Sequence, residues 1–317
     1  MHLLAASRAP TTAWTTVDTM ASLTASTLLL AEGDWQARQS AHEHEVDALS
    51  GDRRRRVATG QTHPVDDFLW TYYSYRPARL RRWHPGAGVA LLGASSIERT
   101  TWRWHRELTT DDGPAVTLDV GAFLADRGDL VRRTFDLLAA TAGRTPVLGC
   151  FGMHEWAMVH GLASGAARHE SWPLRLSQAQ TDAVVEASTL RCTHFDAFRF
   201  FQPSARPLNL LQPTRDTQVQ LEQPGCLHAT MDLYKWAWKL TPAVPSSLLV
   251  RCFLLAREVR ELDMRASPYD LRALGYEPVE VETAHGRAEY VAAQRELTAR
   301  GQLLRAELLD VCHALLP

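Results

Sequence analysis

The chain has 317 residues, 45% of them hydrophobic, enough to bury the core of one large domain or two small ones, so an ordinary globular protein is expected. A formal net charge of −2 and a pI near 6.7 exclude the global basic field that marks many nucleic-acid binders. The five cysteines (150, 192, 226, 252 and 312) are odd in number and lack any CxxC spacing. That usage argues for a reducing, cytoplasmic compartment, against a disulfide partner and against a thiolate zinc site.

In chain order, Met20 to Ala31 is apolar and rich in small residues, but it lacks a basic n-region and is too short to span a bilayer. Residues 1–33 are expected to be a disordered leader, with Met20 as an alternative start. Residues 34–317 then form a single helix-dominated catalytic domain with a sub-boundary near 143. Asp34 to Leu49 reads as a polar helix, followed by arginines 53–56. Pro64 suits a helix N1 position, with Asp66 and Asp67 in the favourable first turn and the helix running through Phe68, Trp70, Tyr72, Tyr73 and Tyr75 toward Arg76. Val89–Leu92 and Ala115–Val120 predict short strands, with the polar TTDDG turn between them. Further helices are expected over 124–142, from Met153 onward, over 178–187, over 228–240, from Ser246 through LLVRCFLLAREVREL, and over 288–316. Leu190 to Phe201 is ambiguous between strand and helix, and Val279–Glu282 predicts one more strand. The fold class is mainly α, either α or α+β: a multi-helix domain with a few short strands.

Charge is uneven along this chain. From Gly51 to Thr110 eleven arginines face five acids, a local excess of 11 − 5 = +6, which reads either as a solvated face or as a surface for DNA. Of 34 cationic residues only two are lysine, Lys235 and Lys239, both in HATMDLYKWAWKL. On a helix, His228, Asp232, Lys235 and Lys239 form one polar stripe beside Leu227, Met231, Tyr234 and Trp238. The lysines either snorkel over apolar surface and pair with Asp232, or line a site.

Three segments hold a histidine near an acid: His154-Glu155, His194-Asp196 and His228-Asp232. Imidazole and carboxylate suit iron, manganese or zinc, and such pairs on facing helices build metal sites in bundles. The alternative is a polar seam of hydrogen-bonded core histidines. Asp263, Arg265 and Asp270 read as a structural ion pair or as an arginine fork for an anionic substrate. Walker A, GxGxxG and G-x-S-x-G motifs are absent from the sequence, so their chemistries drop out.

The segments HPVDDFLWTYYSYRPARLRRWHPGAGVAL, CTHFDAFRFF, EQPGCLHATMDLYKWAWKL and LDMRASPYDL resemble a family of actinobacterial proteins that carry the name 3-methyladenine DNA glycosylase; the likeness covers about residues 62–315. The resemblance implies hydrolysis of the N-glycosidic bond of an alkylated purine in base-excision repair, without a cofactor, the base being flipped into an aromatic pocket. Asp232, Asp119 and Glu155, in that order, would be the catalytic carboxylates. Lys235 would be the amine of a bifunctional variant. Pro85-Gly86-Ala87-Gly88 resembles the glycine hairpin of helix-hairpin-helix glycosylases, although VALL follows it and the gap to Asp119 is long. Arg79, Arg81, Arg82, Gly86 and Gly88 would contact the DNA backbone; Trp70, Tyr73, Trp83, Trp236, Trp238 and Arg265 would contact substrate. The rival reading is a metal-dependent helical oxygenase or hydrolase of a small molecule, its divalent ion held by His154, Glu155, His194, Asp196, His228 and Asp232. A third is a non-catalytic nucleic-acid-binding protein.

Overall fold

The computed structural model describes residues 27–96, 98–162 and 172–316. It is mainly α, as composition and periodicity predict, with a small four-stranded sheet. In chain order the elements are β1 (Leu28–Leu30), α1 (Glu32–Ala58), α2 (Phe68–Tyr72), α3 (Pro77–Leu80), β2 (Val89–Leu92), β3 (His105–Thr110) and β4 (Gly113–Leu118). The helices α4 (Val120–Ala142), α5 (Met153–Ala157), α6 (Gln178–Glu186), α7 (Phe195–Phe198), α8 (Gln218–Leu221), α9 (Leu227–Lys239), α10 (Ser246–Arg265) and α11 (Ala284–Leu315) follow. No helix among the described residues is long and apolar enough to cross a membrane. All five cysteines are free.

Several expectations need correction. The leader was expected to extend to residue 33, yet Leu28–Leu30 is a strand paired in parallel with Val89–Leu91. Burial of Leu30 with Trp35, Leu91 and Val116 ties it to the sheet; residues 1–26 lie outside the described residues. The helix expected from Pro64 to Arg76 is only α2, because Ser74 adopts a left-handed φ of 57° and ends it. Val279–Glu282 forms no strand; Val279 and Val281 are buried one by one while the Val279 amide donates to the Arg265 carbonyl. The strand β3 escapes sequence reading because HRELTT lies at the sheet edge, beyond β4, and carries no apolar alternation.

The polar helix α1 attaches through a narrow line of buried residues, Trp35, His42, Val46 and Ser50. The Trp35 indole donates to the Leu92 carbonyl at 2.9 Å, and His42 Nε2 lies 2.8 Å from the Leu80 carbonyl. Its arginine run is largely neutralised. Arg56 and Arg53 pair with Asp67, and Arg54 pairs with Asp47.

The main core is helical and crosses residue 143 without interruption, joining Phe123 and Val131 of α4 to Tyr234 of α9, Phe253 of α10 and Leu308 of α11. At its centre α9 is wedged between α10 and α11. Gly301 of α11 permits that closeness, since a Cβ there would meet Thr230 Cγ2 at 2.8 Å. Both branches of Thr230 face this position, with Oγ1 at 3.1 Å, so exchanging its rotamers does not clear the space. Gly301→Ala is therefore expected to destabilise the fold by about 1–3 kcal/mol, the usual effect of overpacking. Chemical denaturation checks this; an unchanged midpoint would show that α11 can retreat freely.

A candidate metal centre and a cationic groove

Three short segments and two long helices deliver a charged centre into the apolar core. His154 and Glu155 come from α5, whose start is set by Gly152 at φ 65°. His194 stands at the N-cap of α7, Glu222 directly follows α8, His228 and Asp232 lie one turn apart on α9, and Arg260 and Asp263 share a face of α10. All except His228 have under a tenth of their surface exposed. The three imidazoles meet around His228, whose ring centroid is 4.2 Å from that of His154 and 5.3 Å from that of His194.

Two triads result, each with ligand-type atoms within 4.8 Å of one another: His154, His228 and Asp263; and His194, Glu222 and Asp232. In the first, His154 Nε2 lies 3.2 Å from Asp263 Oδ1, without hydrogen-bond alignment. Arg260 Nη1 holds the other Asp263 oxygen at 3.0 Å and Glu155 Oε1 at 2.9 Å. In the second, His194 Nε2 lies 3.1 Å from Asp232 Oδ2 and 3.4 Å from Glu222 Oε1. Asp232 also accepts from the Tyr73 hydroxyl at 2.6 Å and from the Lys235 ammonium.

Charge explains why so polar a cluster survives burial. Four carboxylates (Glu155, Glu222, Asp232, Asp263) meet two fixed cations (Arg260, Lys235), leaving a formal deficit of 4 − 2 = 2. Histidines supply the rest. Burial alone would depress His154, but the Asp263 and Glu155 carboxylates override it and raise its pKa to about 10; His194 is raised likewise by Glu222 and Asp232. His228 is pushed down to about 3 by burial and by the neighbouring His154, so it stays neutral. Burial opposes ionisation of Asp232, yet Lys235 and His194 hold its carboxyl well below the usual range. Glu222 is raised by burial.

Two small recesses reach the centre. One, about 70 Å³ inside its mouth, runs between Phe68, Tyr72 and Phe200 to Asp196, His154 and His228. The other, about 30 Å³, reaches His154 and His228 past Cys150, Cys192 and Cys226. Separately, at the C-terminal end of α9, a groove of about 780 Å³ is lined by Arg79, Arg82, Arg103, Arg127 and Lys239 together with aromatic rings.

Of the six residues expected to hold a metal, five converge: His154, Glu155, His194, His228 and Asp232. Asp196 does not join them. It pairs with Arg199 at 3.0 Å and lies 3.7 Å from Lys235, because α7 carries it to the mouth of the recess while His194 points inward. The pairing is partly exchanged, since His194 meets Asp232, and His154 meets Asp263 at 3.2 Å while keeping Glu155 at 3.7 Å. Asp263 was visible only as a partner for Arg265, and Glu222 carried no signal, because the histidine it meets, His194, is remote in sequence while the nearby His228 belongs to the other triad.

The glycosylase assignments are dispersed. Asp119 caps α4, accepting from the Ala122 amide at 2.9 Å, and is not among the residues lining the recesses or the groove. Lys235 is held as an ammonium: burial would lower its pKa, but Asp232 raises it, the opposite of what an amine nucleophile needs. Trp70 is core, packed on Phe253 at 4.7 Å, and Trp83 is buried in the sheet's small core, so neither offers a stacking face. Tyr73 is a hydrogen-bond donor to Asp232, and Trp236 lies under Lys235 and Lys239. Arg265 is drawn to the Glu277 carbonyl and Glu289, and Asp270 to Arg272, so no arginine fork forms with Asp263. Arg81 is taken up by Glu43 and Asp47. Gly86 packs against Ala243 and Pro245, and Gly88 leads into strand β2, where a helix-hairpin-helix motif would have its second helix. Arg79, Arg82 and Trp238 do come together, in the cationic groove.

No family model, curated protein or solved structure matches the chain.

Lys235→Met leaves Asp232 buried beside fewer cations and is expected to destabilise the fold by about 3–5 kcal/mol. Urea unfolding reads this, and a loss below 1 kcal/mol would mean that Asp232 takes up a proton instead. The raised pKa of His154 sets a pH dependence for the metal-free protein. Its contribution to stability is fully present below the unfolded value near 6.5 and is lost as pH rises through about 10. The melting temperature should therefore fall over that window, and His154→Gln should flatten the fall.

Proposed function

We propose that the protein is a metal-dependent enzyme acting on a small molecule, with a divalent ion held by His154, His228 and Asp263. The carrying observation is the 3.2 Å approach of His154 Nε2 to Asp263 Oδ1 without hydrogen-bond alignment. Ligands bound to one ion at about 2.1 Å stand about 3.0–3.4 Å apart for right-angle to tetrahedral geometry, which this contact matches. Arg260 supports the reading by fixing the outer oxygen of Asp263, the part an outer-shell partner plays around a metal.

Two imidazoles and one carboxylate form the donor set of non-haem iron(II) oxygenases and also suit manganese or zinc. An ion held there supplies Lewis acidity toward a water or a substrate oxygen, and with iron the redox chemistry of an oxygenase. The inner recess of about 70 Å³ admits several waters or a small substrate. Its mouth residues Phe68, Tyr72 and Phe200 select flat or apolar groups, and neutral His228 keeps a lone pair available. Elemental analysis of protein loaded with iron, manganese or zinc is expected to find one ion per chain, with His228→Ala and Asp263→Asn reducing it to background. Metal-free wild type at saturating ion would sink the proposal.

The sequence resemblance supports a second reading, release of an alkylated purine from DNA. The observation favouring it is the aromatic mouth of the recess with Asp196 beside it. Asp232 is sealed from solvent, and Glu155, which also lines the recess, is buried against Arg260, so the carboxylate placed to meet a flipped base or water there is Asp196. The inner volume is smaller than a purine, so Phe68, Tyr72 and Phe200 would have to part. Incubation of chelator-treated protein with methylated DNA tests this reading: 3-methyladenine release that Asp196→Asn lowers at least about a hundredfold supports it, in line with loss of a general base. No release excludes it.

A further inference from the structure

A cavity of about 780 Å³ lies away from the charged centre, between the α2–α3 segment, the β3 region and the C-terminal end of α9. Its cations are Arg79, Arg82, Arg103, Arg127 and Lys239, and among the described residues no carboxylate lines it. Asp126 takes up Arg103 at 2.7 Å. Among the described residues, no acid lies within ion-pair distance of Arg79, Arg82, Arg127 or Lys239, unlike arginines 53–56 of α1. The +6 excess between 51 and 110 thus narrows to a few groove arginines, joined by Arg127 and Lys239 from outside it.

The aromatic lining has a particular form. Tyr73, Tyr75 and Trp238 make a continuous stack, with centroids 5.8 Å and 4.2 Å apart and interplanar angles of 14° and 11°. The stack ends at Trp238 on the groove wall, with one indole face against Tyr75. On another wall Arg82 lies over the Trp102 ring at 4.4 Å, which positions its guanidinium before any ligand arrives. Two buried polar atoms among the lining residues, His84 Nδ1 and Trp102 Nε1, have no hydrogen-bond partner.

We infer that this groove binds a nucleotide unit, its phosphates meeting Arg79, Arg82, Arg127 and Lys239 and its base extending the Tyr73–Tyr75–Trp238 stack. Unpaired arginines recognise phosphate, and an aromatic terminus recognises the π-face of a base. A carboxylate-rich peptide would satisfy the cations but leave the stack without a ring. A B-form duplex, with grooves about 6 and 12 Å wide around a solid core, does not enter a cavity of about 780 Å³, whereas a free nucleotide or a few nucleotides of a single strand do. The inference is independent of the metal reading, and it needs no base release.

Calorimetry on the full chain at low salt, with ADP, pyrophosphate and an eight-residue oligothymidylate as probes, tests it. ADP or the oligonucleotide should bind at least about tenfold more tightly than pyrophosphate, the margin that stacking of one base supplies, and should quench tryptophan fluorescence. Whichever of the two binds more tightly identifies the source as free nucleotide or single strand. Arg82→Glu with Arg127→Glu should weaken binding more than about tenfold, with unchanged circular dichroism. Lys239→Glu, at an exposed position, is the parallel variant should the double one misfold. Pyrophosphate binding as tightly as ADP, no binding by any probe, or unchanged binding in a folded variant overturns the inference.

Discussion

Four carboxylates in an apolar interior demand four positive charges, and the arrangement of the central helices answers that demand. A buried carboxylate without a partner loses several kcal/mol of hydration, so each must be met within hydrogen-bond reach. In the metal-free chain, Arg260 from α10, Lys235 from α9 and the histidines His154 and His194, whose pKa values the carboxylates raise, provide the match. This ties α5, α7, α9 and α10 together through contacts that are directional, whereas the surrounding leucines and aromatics are interchangeable by volume. The centre fixes which faces of these helices meet, and the hydrophobic core fills in around it.

Arginine is used in three distinct ways elsewhere. Along α1 it is spent on local acids, as in Arg56 with Asp67. Arg99 is buried in the sheet region with its guanidinium 5.5 Å from the Trp83 ring and 4.5 Å from the Trp102 ring, while donating to Gln39 at 2.7 Å. A third group, around the groove, keeps its charge for solvent or ligand. A sum of charges over a sequence window cannot distinguish these uses, because the acids that neutralise a cation lie up to a full helix away. Arg81, for example, finds Asp47, thirty-four residues back in sequence.

Legibility followed the same division. The long helices announce themselves by period, and α9 could be placed to within a residue because Pro224-Gly225 precedes it and Pro242 follows it. The histidine-acid segments were visible as residue types that rarely gather by chance, and five of the six residues named do converge. Their partners were not legible. Asp263 and Glu222 reach the centre through tertiary packing, and sequence neighbours such as Asp196 are turned away by the short helix that presents them. Short elements were lost for an allied reason: the end of α2 depends on one left-handed backbone angle at Ser74, and β3 owes its pairing to β4 rather than to its own residues.

Helix α9 also has a direction. Its peptide dipoles place partial positive charge at Leu227-His228 and partial negative charge at Lys239. An imidazolium at the first end would face repulsion from the helix itself, so the polarity of the backbone acts with burial in keeping His228 uncharged. At the other end the same field favours an ammonium group, and there, in the last turn, the chain places Lys239, one of its two lysines. Running the identical side chains along a helix of opposite polarity would set the backbone against each of them.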